Sequence, residues 1–588
     1  MNPLAKRERE SRYEYMKYIS HEWDNENDGV LFFIQRLEEM LFYYSDDIVR
    51  APMHNTATLI REYIDIDKDN NVQTYHKKMV AEELKESIHK DEIIKDEYGE
   101  KFIEIIEKSL VEKNDETVYY LRGMIHLDEY YRRNVEYILK NIVVAKNKNE
   151  INSGLRKWIA SVTSMGYSAK YIYMYLRNCF EGPVIDPVSK VKEFFYHFDS
   201  AKREYRVYFK FYNILDEYKE LIGKRLNVSF EDDGFFEKLK KLTSKDGFIG
   251  YLDVEAIDPY RAIEEAYGKI NIFISFYRVV SNRRKPLINK FAYIRNIAME
   301  EMLYIPIKED GYKAIEVEPK IKLHNAIDRS ILGCQKKDQR EYYQLRKIIE
   351  LHNKALEQND CDDGFVNLWS IMEVVSSDMT GDTKIEKVIN SVLSILQNDY
   401  YSKYFQSLRN DLRSSLRKEE YIDIVDDITE KGDEVYKIAC LTLLDKYREL
   451  REELFTKLKG YPNIRYKMWR MYRMSNNKKE IFKYSNGYGR RLKWHTYRLY
   501  RMRNKIVHSG EKDKNVRILG EHLHIYCDGI IIELIVKLSN ESFETIRDVL
   551  VDTRLLLESK KELFNDTSAV QERDITNMFS NYLNKLVY

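Results

Sequence analysis

Proline and glycine are scarce in this chain, at 9 and 22 of 588 residues. Because tight turns between short strands depend on both residues, their scarcity argues against an all-β protein and favours long helices. The five cysteines are far apart and form no CxxC pair, which argues against a disulfide framework or a zinc ribbon. A reducing cytoplasm is therefore the expected setting. No long apolar run is present, so we expect neither a signal peptide nor a membrane span.

Net charge is absent as well, since 97 basic and 97 acidic side chains balance. No overall field therefore steers the protein toward nucleic acid or a membrane surface, and an RNA partner would need a local basic patch. The chain is longer than one hydrophobic core usually serves, so two to four domains are expected.

Residues 1–200 show the three- and four-residue apolar spacing of amphipathic helices, and we interpret them as a helical N-terminal domain that could sense or regulate. The polar run 146–154 is the best linker candidate within it. Residues 330–588 return to helical spacing and form a second predicted helical domain. The predicted fold is thus mainly α, with a small α+β region in the middle.

That middle region, 201–329, is predicted from two kinds of signal. Residues 252–256 alternate apolar and acidic side chains, which is the period of a half-buried strand. Asp258-Pro259 then predicts a helix start, with Asp as the N-cap and Pro in the first turn. Two further strands are expected at 303–307 and 314–317.

One helix end carries residues that can do chemistry. Gly510 suits a left-handed cap, and His508 precedes it in the last predicted turn. Asn504 and His508 are four residues apart and project from one face, which Arg501 shares. Arg503 lies about 140° away, so its long side chain must curl round to join them. The partial negative charge of a helix C-terminus favours an imidazolium at this position.

Such a set of side chains suits RNA cleavage. RNA supplies its own nucleophile, the 2′-hydroxyl, so an enzyme needs only a proton shuttle and a cation for the phosphate. An imidazole can serve as acid or base, and a guanidinium can hold two phosphate oxygens. The expected products are a 2′,3′-cyclic phosphate and a 5′-hydroxyl.

Arg503-Asn504-x-x-x-His508 resembles the Arg-polar-x(3–5)-His motif of HEPN ribonucleases, and its surroundings are similar to the Apea-like branch. The pair Leu368-Trp369 followed by Glu373 resembles a helix of that branch. Residues 254–262 also resemble the region upstream of its nuclease domain. The resemblance covers about residues 250–540 and leaves 1–200 unmatched.

The resemblance implies that residues 330–588 form a HEPN helical bundle that pairs as a homodimer, with two facing motifs building one composite site. It further implies an effector of toxin–antitoxin or abortive-infection defence against phage, acting on tRNA or other cellular or phage RNA. A phage-derived trigger or an antitoxin would then be a partner. In this role His508 is the acid/base, Arg503 contacts the phosphate, and Asn504 orients either group. Glu373 supports Arg503 from the neighbouring helix, and Arg501 is a second supporting residue.

A basic and aromatic tract precedes the motif and is a candidate RNA-binding surface. Its members are Arg465, Lys467, Trp469, Arg470 and Arg473. Bases of single-stranded RNA stack on aromatic rings while phosphates meet cations. A solvated amphipathic helix explains the same pattern equally well.

The sequence contains other patterns that could carry a site. Three further arginine–histidine pairs fit the motif spacing loosely and are not favoured as sites: Arg490 with His495, Arg346 with His352, and Arg517 with His522. No HExxH, phosphate-binding loop or His/Cys cluster with metal-ligand spacing is present, so no metal or other cofactor is expected. The alternative function is a non-catalytic helical scaffold or sensor that binds RNA, a nucleotide or a partner protein.

Overall fold

The structure is a computed structural model, and the residues it describes are 11–19, 28–42, 45, 47–69, 72–112, 114–143, 147–182, 186–212, 223–224, 227–230, 248–280, 287–288, 291–298, 302–307, 338–357, 361–509, 515–539 and 542–580. These residues are mainly helical and include a small antiparallel sheet, which confirms the coarse prediction. Two compact units contain them. The larger comprises Met1–Met40, Tyr44–Lys157 and Gly311–Tyr588, and the smaller comprises Leu41–Tyr43 and Trp158–Asp310.

A series of helices precedes the sheet in the part of the chain that the structure describes. Their bounds are α1 Asp28–Leu41, α2 Thr56–Asp67, α3 Thr74–His89, α4 Glu92–Tyr98, α5 Glu100–Glu112, α6 Asn114–Met124, α7 Leu127–Val143, α8 Lys148–Met165, α9 Ala169–Cys179 and α10 Pro187–Tyr196.

The predicted linker at 146–154 is wrong over most of its length, because α8 begins at Lys148. Ile151 is fully buried, and the Asn152 side chain accepts a hydrogen bond of 2.7 Å from the Arg36 guanidinium of α1. A polar run therefore continues as a helix because a distant buried cation gives one of its amides a partner.

The smaller unit contains the sheet. Its elements are β1 Arg203–Tyr212, β2 Ser229–Phe230, β3 Phe248–Ala256, α11 Pro259–Val280, β4 Leu287–Ile288, β5 Phe291–Asn296 and β6 Met302–Pro306. The strand order is β2-β3-β1-β5-β6, with β4 beside β1, and the paired strands are antiparallel. The strand predicted at 252–256 is the end of β3, and the one predicted at 303–307 coincides with β6 apart from a shift of one residue. The strand predicted at 314–317 lies outside the described residues.

Helix α11 begins as the sequence predicts. The Asp258 carboxylate accepts hydrogen bonds from the backbone N–H of Arg261 at 2.9 Å and of Ser168 at 2.6 Å. The same helix then buries Ala262, Ile263 and Ala266 against the sheet. An N-cap and an apolar stripe thus fix both the start of this helix and the face that it packs.

The C-terminal part of the larger unit is an array of helices around one apolar core. Its elements are α12 Gln339–Glu357, α13 Cys361–Val375, α14 Lys384–Asn398, α15 Tyr400–Ser415, α16 Lys418–Asp426, α17 Glu434–Leu443, a 3₁₀ turn Asp445–Tyr447, α18 Arg448–Lys457, α19 Pro462–Ser475, α20 Lys478–Ser509, α21 Val516–Leu538, α22 Ile546–Leu563 and α23 Glu572–Met578. Helix α13, with buried Leu368 and Trp369, packs against α12, α20 and α21.

Helix α20 carries the motif and is longer than its sequence suggests. Glycine weakens a helix, yet α20 begins at Lys478 and continues through both Gly487 and Gly489. A Cβ at Gly489 would clash with the Gln397 side chain of α14. The Gln397 side chain would have to move to admit a larger residue here, and the glycine does not end the helix.

Among the described helices, none has both the length and the apolar character needed to cross a membrane.

Candidate functional site

The end of α20 presents the motif residues to solvent. His508 lies in the last turn and is exposed, while Arg503 and Asn504 are partly exposed. Leu499 and Met502 are buried in the core, and Leu499 lies on the side of the helix opposite His508. Amphipathic spacing therefore turns His508 outward. Gly510, the predicted cap, lies outside the described residues.

Arg503 reaches both of its expected neighbours. One guanidinium nitrogen donates to Asn504 Oδ1 at 3.2 Å, and the other lies 3.8 Å from Glu373 Oε1 on α13. The Arg503 side chain is 22% exposed and that of Glu373 28%, so the ion pair stays open to solvent. The long side chain does curl toward Asn504, as the helical geometry requires.

Glu373 is itself held in place by the core. Trp369, one turn earlier on α13, donates its indole N–H to Glu373 Oε1 at 3.1 Å. The Trp369 ring packs on Tyr500 of α20, with ring centroids 5.6 Å apart. The Leu-Trp…Glu pattern on α13 thus links a buried ring to the carboxylate that faces Arg503.

Arg501 has a different environment from the one expected of a supporting residue. Its guanidinium is buried and forms an ion pair with Glu62 of α2. The same carboxylate accepts from Arg498 at 2.7 and 2.8 Å, and Arg498 also pairs with Glu83 of α3. Arg501 is thereby committed to holding α20 against the N-terminal helices, which does not support a role beside His508.

The basic tract is helical, since it forms α19, and it is largely engaged within the protein. Lys467 is 5% exposed, and its ammonium lies 2.6 Å from Glu39 and 2.7 Å from Asp411. A buried ammonium between two carboxylates cannot meet an RNA phosphate without breaking those pairs, so the expectation for Lys467 is not supported. Arg465 pairs with Asp28 at 3.0 Å.

The outer side of α19 keeps an aromatic and cationic surface. Trp469 is 40% exposed, and the exposed Arg473 guanidinium lies over its ring, 5.4 Å from the centroid. Arg470 is partly buried and lies over the Tyr484 ring at 4.5 Å. Of the five predicted RNA contacts, Trp469 and Arg473 are thus the two most exposed, while the Arg465 side chain is 28% exposed in its pair with Asp28.

The alternative arginine–histidine pairs do not form sites of the same kind. Their arginines pair with nearby carboxylates: Arg490 with Glu86, Arg346 with Glu350, and Arg517 with Glu521. His495 is buried against His522, with their ring nitrogens 3.0 Å apart.

Buried and partly buried histidines lie along the inner side of α20. Burial lowers the pKa of His54 and of His522 to about 4, and that of His76 to about 3. The nearby Arg501 guanidinium disfavours a second positive charge on His54 and His76. These rings are therefore neutral at physiological pH and contribute packing, whereas His508 faces water.

A further cluster joins α12 to α21 and is not evident from spacing in the sequence. His352 Nε2 lies 3.2 Å from His524 Nε2 and 2.7 Å from Asp528 Oδ1, and His524 Nε2 lies 3.3 Å from the same oxygen. These three residues could hold a metal ion. In the sequence, the four-residue spacing of His524 and Asp528 places these two residues on one helix face. His352 is 172 residues from His524, and only the packing of α12 against α21 brings it to them.

Comparison of the chain with protein-family models, with proteins of curated function and with solved structures finds no match.

Proposed function

We propose that this protein is a metal-independent RNA endonuclease with its active site at the C-terminal end of α20. The observation that carries the proposal is the exposed His508 in the last turn of a helix whose Arg503, five positions earlier, is partly exposed and faces Glu373. An accessible imidazole and a positioned guanidinium are the two groups that cleavage through the 2′-hydroxyl needs.

The reaction follows from these groups. His508 takes the proton of a ribose 2′-hydroxyl or gives one to the departing 5′-oxygen. The 2′-oxygen forms a bond to phosphorus, and the bond from phosphorus to the 5′-oxygen breaks. Arg503 holds the phosphate oxygens and offsets the negative charge that develops on them, while Asn504 fixes the guanidinium through its 3.2 Å hydrogen bond. The products are a 2′,3′-cyclic phosphate and a 5′-hydroxyl.

A symmetric homodimer would supply both proton transfers. One His508 can act as base and the partner's copy as acid if two α20 ends face each other across a two-fold axis. Val507, 46% exposed beside His508, offers an apolar contact for such a pairing. We propose the cytoplasm as the setting, tRNA or other cellular or phage RNA as the substrate, and abortive-infection or toxin activity as the biological role, with a phage-derived trigger or an antitoxin as the regulating partner.

The test is RNA cleavage in EDTA by the wild type, His508→Ala and Arg503→Ala. We expect each substitution to lower the cleavage rate by at least about a hundredfold, since acid–base catalysis alone contributes roughly that factor. His89→Ala is the matched control, because His89 is also an exposed histidine in the last turn of a helix. Cleavage that requires added Mg²⁺, or that survives both substitutions in α20, would contradict the proposal.

A second candidate, a non-catalytic scaffold or sensor, is favoured by one observation. Ion pairs hold helices α2 and α3 against α20. Arg498 of α20 pairs with Glu62 and Glu83, and Arg490 pairs with Glu86. A helix held this firmly can transmit binding without performing chemistry. Wild-type protein that binds RNA without cutting it, and that causes no growth arrest when expressed, would favour this function.

A further inference from the structure

Three donor atoms converge between α12 and α21. His352 and His524 turn the same ring nitrogen, Nε2, toward one carboxylate oxygen of Asp528. The His524 and Asp528 side chains are 2% and 10% exposed, and that of His352 is 16% exposed. The cluster is therefore almost enclosed, and the side of His352 is where solvent comes nearest.

The separations fit a transition-metal ion. Ligands about 2.0–2.1 Å from a tetrahedral ion lie about 3.3 Å from one another. Two of the three separations, 3.2 and 3.3 Å, match this edge, and the 2.7 Å between His352 and Asp528 is a hydrogen-bond length that opens when an ion replaces the shared proton. Atoms with these three separations lie on a circle of about 1.8 Å radius, so one ion just above their plane reaches all of them.

We propose that His352, His524 and Asp528 bind a divalent transition-metal ion of the zinc class. Two imidazoles and one carboxylate suit Zn²⁺, whereas Mg²⁺ and Ca²⁺ prefer oxygen ligands throughout. Three protein ligands leave at least one coordination position for water, on the side of His352. The inference does not depend on the proposed nuclease activity.

The ion would fasten two helices that are distant in sequence. His352 lies near the end of α12 and its partners lie in the middle of α21, so one ion closes a loop of 172 residues. A neighbouring contact reinforces the position of α21, since the Cys527 thiol donates to the Leu368 carbonyl of α13 at 3.4 Å. The metal would therefore stabilise the helices that frame Trp369 and Glu373.

The test measures metal binding on the full chain without an affinity tag. Metal content of protein purified without chelator is determined by mass spectrometry, and chelator-treated protein is titrated with Co²⁺ and Zn²⁺. We expect about one ion per chain, visible Co²⁺ absorption bands of a low-coordinate site that Zn²⁺ abolishes, and a rise in the unfolding temperature on adding Zn²⁺.

His352→Gln and Asp528→Asn are the diagnostic variants because they keep side-chain volume and hydrogen-bonding capacity. Each should weaken Zn²⁺ binding at least about a hundredfold, since even the loss of an outer partner costs up to that much. Circular dichroism establishes that each variant is folded. His89→Gln, which removes an exposed histidine paired with Glu107, should bind as the wild type does.

Wild-type protein that retains no metal and gives neither Co²⁺ bands nor a Zn²⁺-dependent rise in unfolding temperature would overturn the proposal. So would unchanged Zn²⁺ affinity in both cluster variants. The two proposals fail separately, because metal binding is measured without RNA, and RNA cleavage can be measured on protein stripped of metal and verified as folded.

Discussion

At the scale of single residues, the surroundings of Arg503 and Lys467 determine whether each cation can bind a substrate phosphate. Arg503 is held at the surface by Asn504 and Glu373, so its guanidinium remains accessible to a phosphate. Lys467 belongs to the same basic region of the sequence but is buried between Glu39 and Asp411. A cation that already neutralises two buried carboxylates serves stability, whereas one in an open ion pair can exchange its partner for a substrate.

Glu373→Gln tests the positioning of Arg503. Glutamine keeps an oxygen that can accept from the Trp369 indole, but it removes the charge that faces the guanidinium. We expect RNA cleavage to slow by roughly tenfold, which corresponds to about 1.4 kcal/mol, with little change in unfolding temperature because the pair is partly exposed. Single-turnover rates and thermal melts measure both effects. A large loss of stability with an unchanged rate would show that Glu373 is only structural.

Lys467→Met tests the buried position. Methionine fills similar space but leaves Glu39 and Asp411 without their cation, and breaking a buried pair on one side costs about 3–5 kcal/mol. We therefore expect a clear fall in the unfolding temperature. Arg473→Ala on the exposed side of the same helix should leave the unfolding temperature unchanged and weaken RNA binding uniformly across sequences. The reverse pattern for the two variants would contradict these assignments.

At the scale of elements, the ion pairs that hold α2 and α3 against α20 depend largely on one carboxylate. Glu62 accepts from Arg498 and pairs with Arg501, and these contacts hold the pKa of Glu62 well below its usual range despite its burial. The carboxylate is therefore ionised throughout the physiological range. Both arginines lie in the last three turns of α20, directly before the motif.

Glu62→Gln should loosen the end of α20. A neutral side chain leaves two buried guanidiniums poorly compensated, and a cost of about 3–5 kcal/mol is expected. Hydrogen exchange of the α20 backbone from Arg498 onward should become faster. Glu86→Gln is the matched control, because its partner Arg490 is 50% exposed and such pairs contribute about 0–1 kcal/mol. Equal effects of the two substitutions would contradict the claim that Glu62 holds the end of α20 in place.

Elements that depend on local sequence features could be predicted from the sequence. Elements that depend on contacts between residues far apart in the chain could not. The start of α11 at Pro259 and the strand β3 follow from an N-cap and a period of two. Helix α8 covers most of the predicted linker, where Ile151 is buried and Asn152 has a partner on α1, and Gly489 lies within α20 beside the Gln397 side chain of α14. The contact between Arg503 and Glu373 was expected from a resemblance, since no local pattern relates residues 130 positions apart.

At the scale of the whole molecule, the larger unit unites N-terminal and C-terminal helices, with the buried histidines at their junction. His54 and His76 come from the N-terminal helical region, and His522 lies on α21. Each pKa is lowered by burial, so each ring is neutral in the folded protein and takes up a proton on unfolding. Folding is thereby linked to pH.

The lowered pKa values of these histidines predict that the protein becomes less stable as the pH falls. Stability is fully present above the ordinary histidine pKa of 6.5 and is lost as the pH falls from there toward the lowered values of about 4 and 3. Each such histidine contributes a slope of up to about 1.4 kcal/mol per pH unit within this window. Unfolding temperatures measured between pH 7.5 and pH 5 should therefore decrease with falling pH. A constant or rising unfolding temperature would contradict the buried, neutral state of these rings.

The most direct measurement of the central claim is the chemistry of the RNA ends. Metal-stripped, folded protein is incubated with end-labelled RNA, and the fragments are analysed beside those from His508→Ala. The account predicts 2′,3′-cyclic phosphate and 5′-hydroxyl ends with the wild type and almost no fragments with the variant. Fragments with 5′-phosphate and 3′-hydroxyl ends, or equal cleavage by the variant, would contradict it.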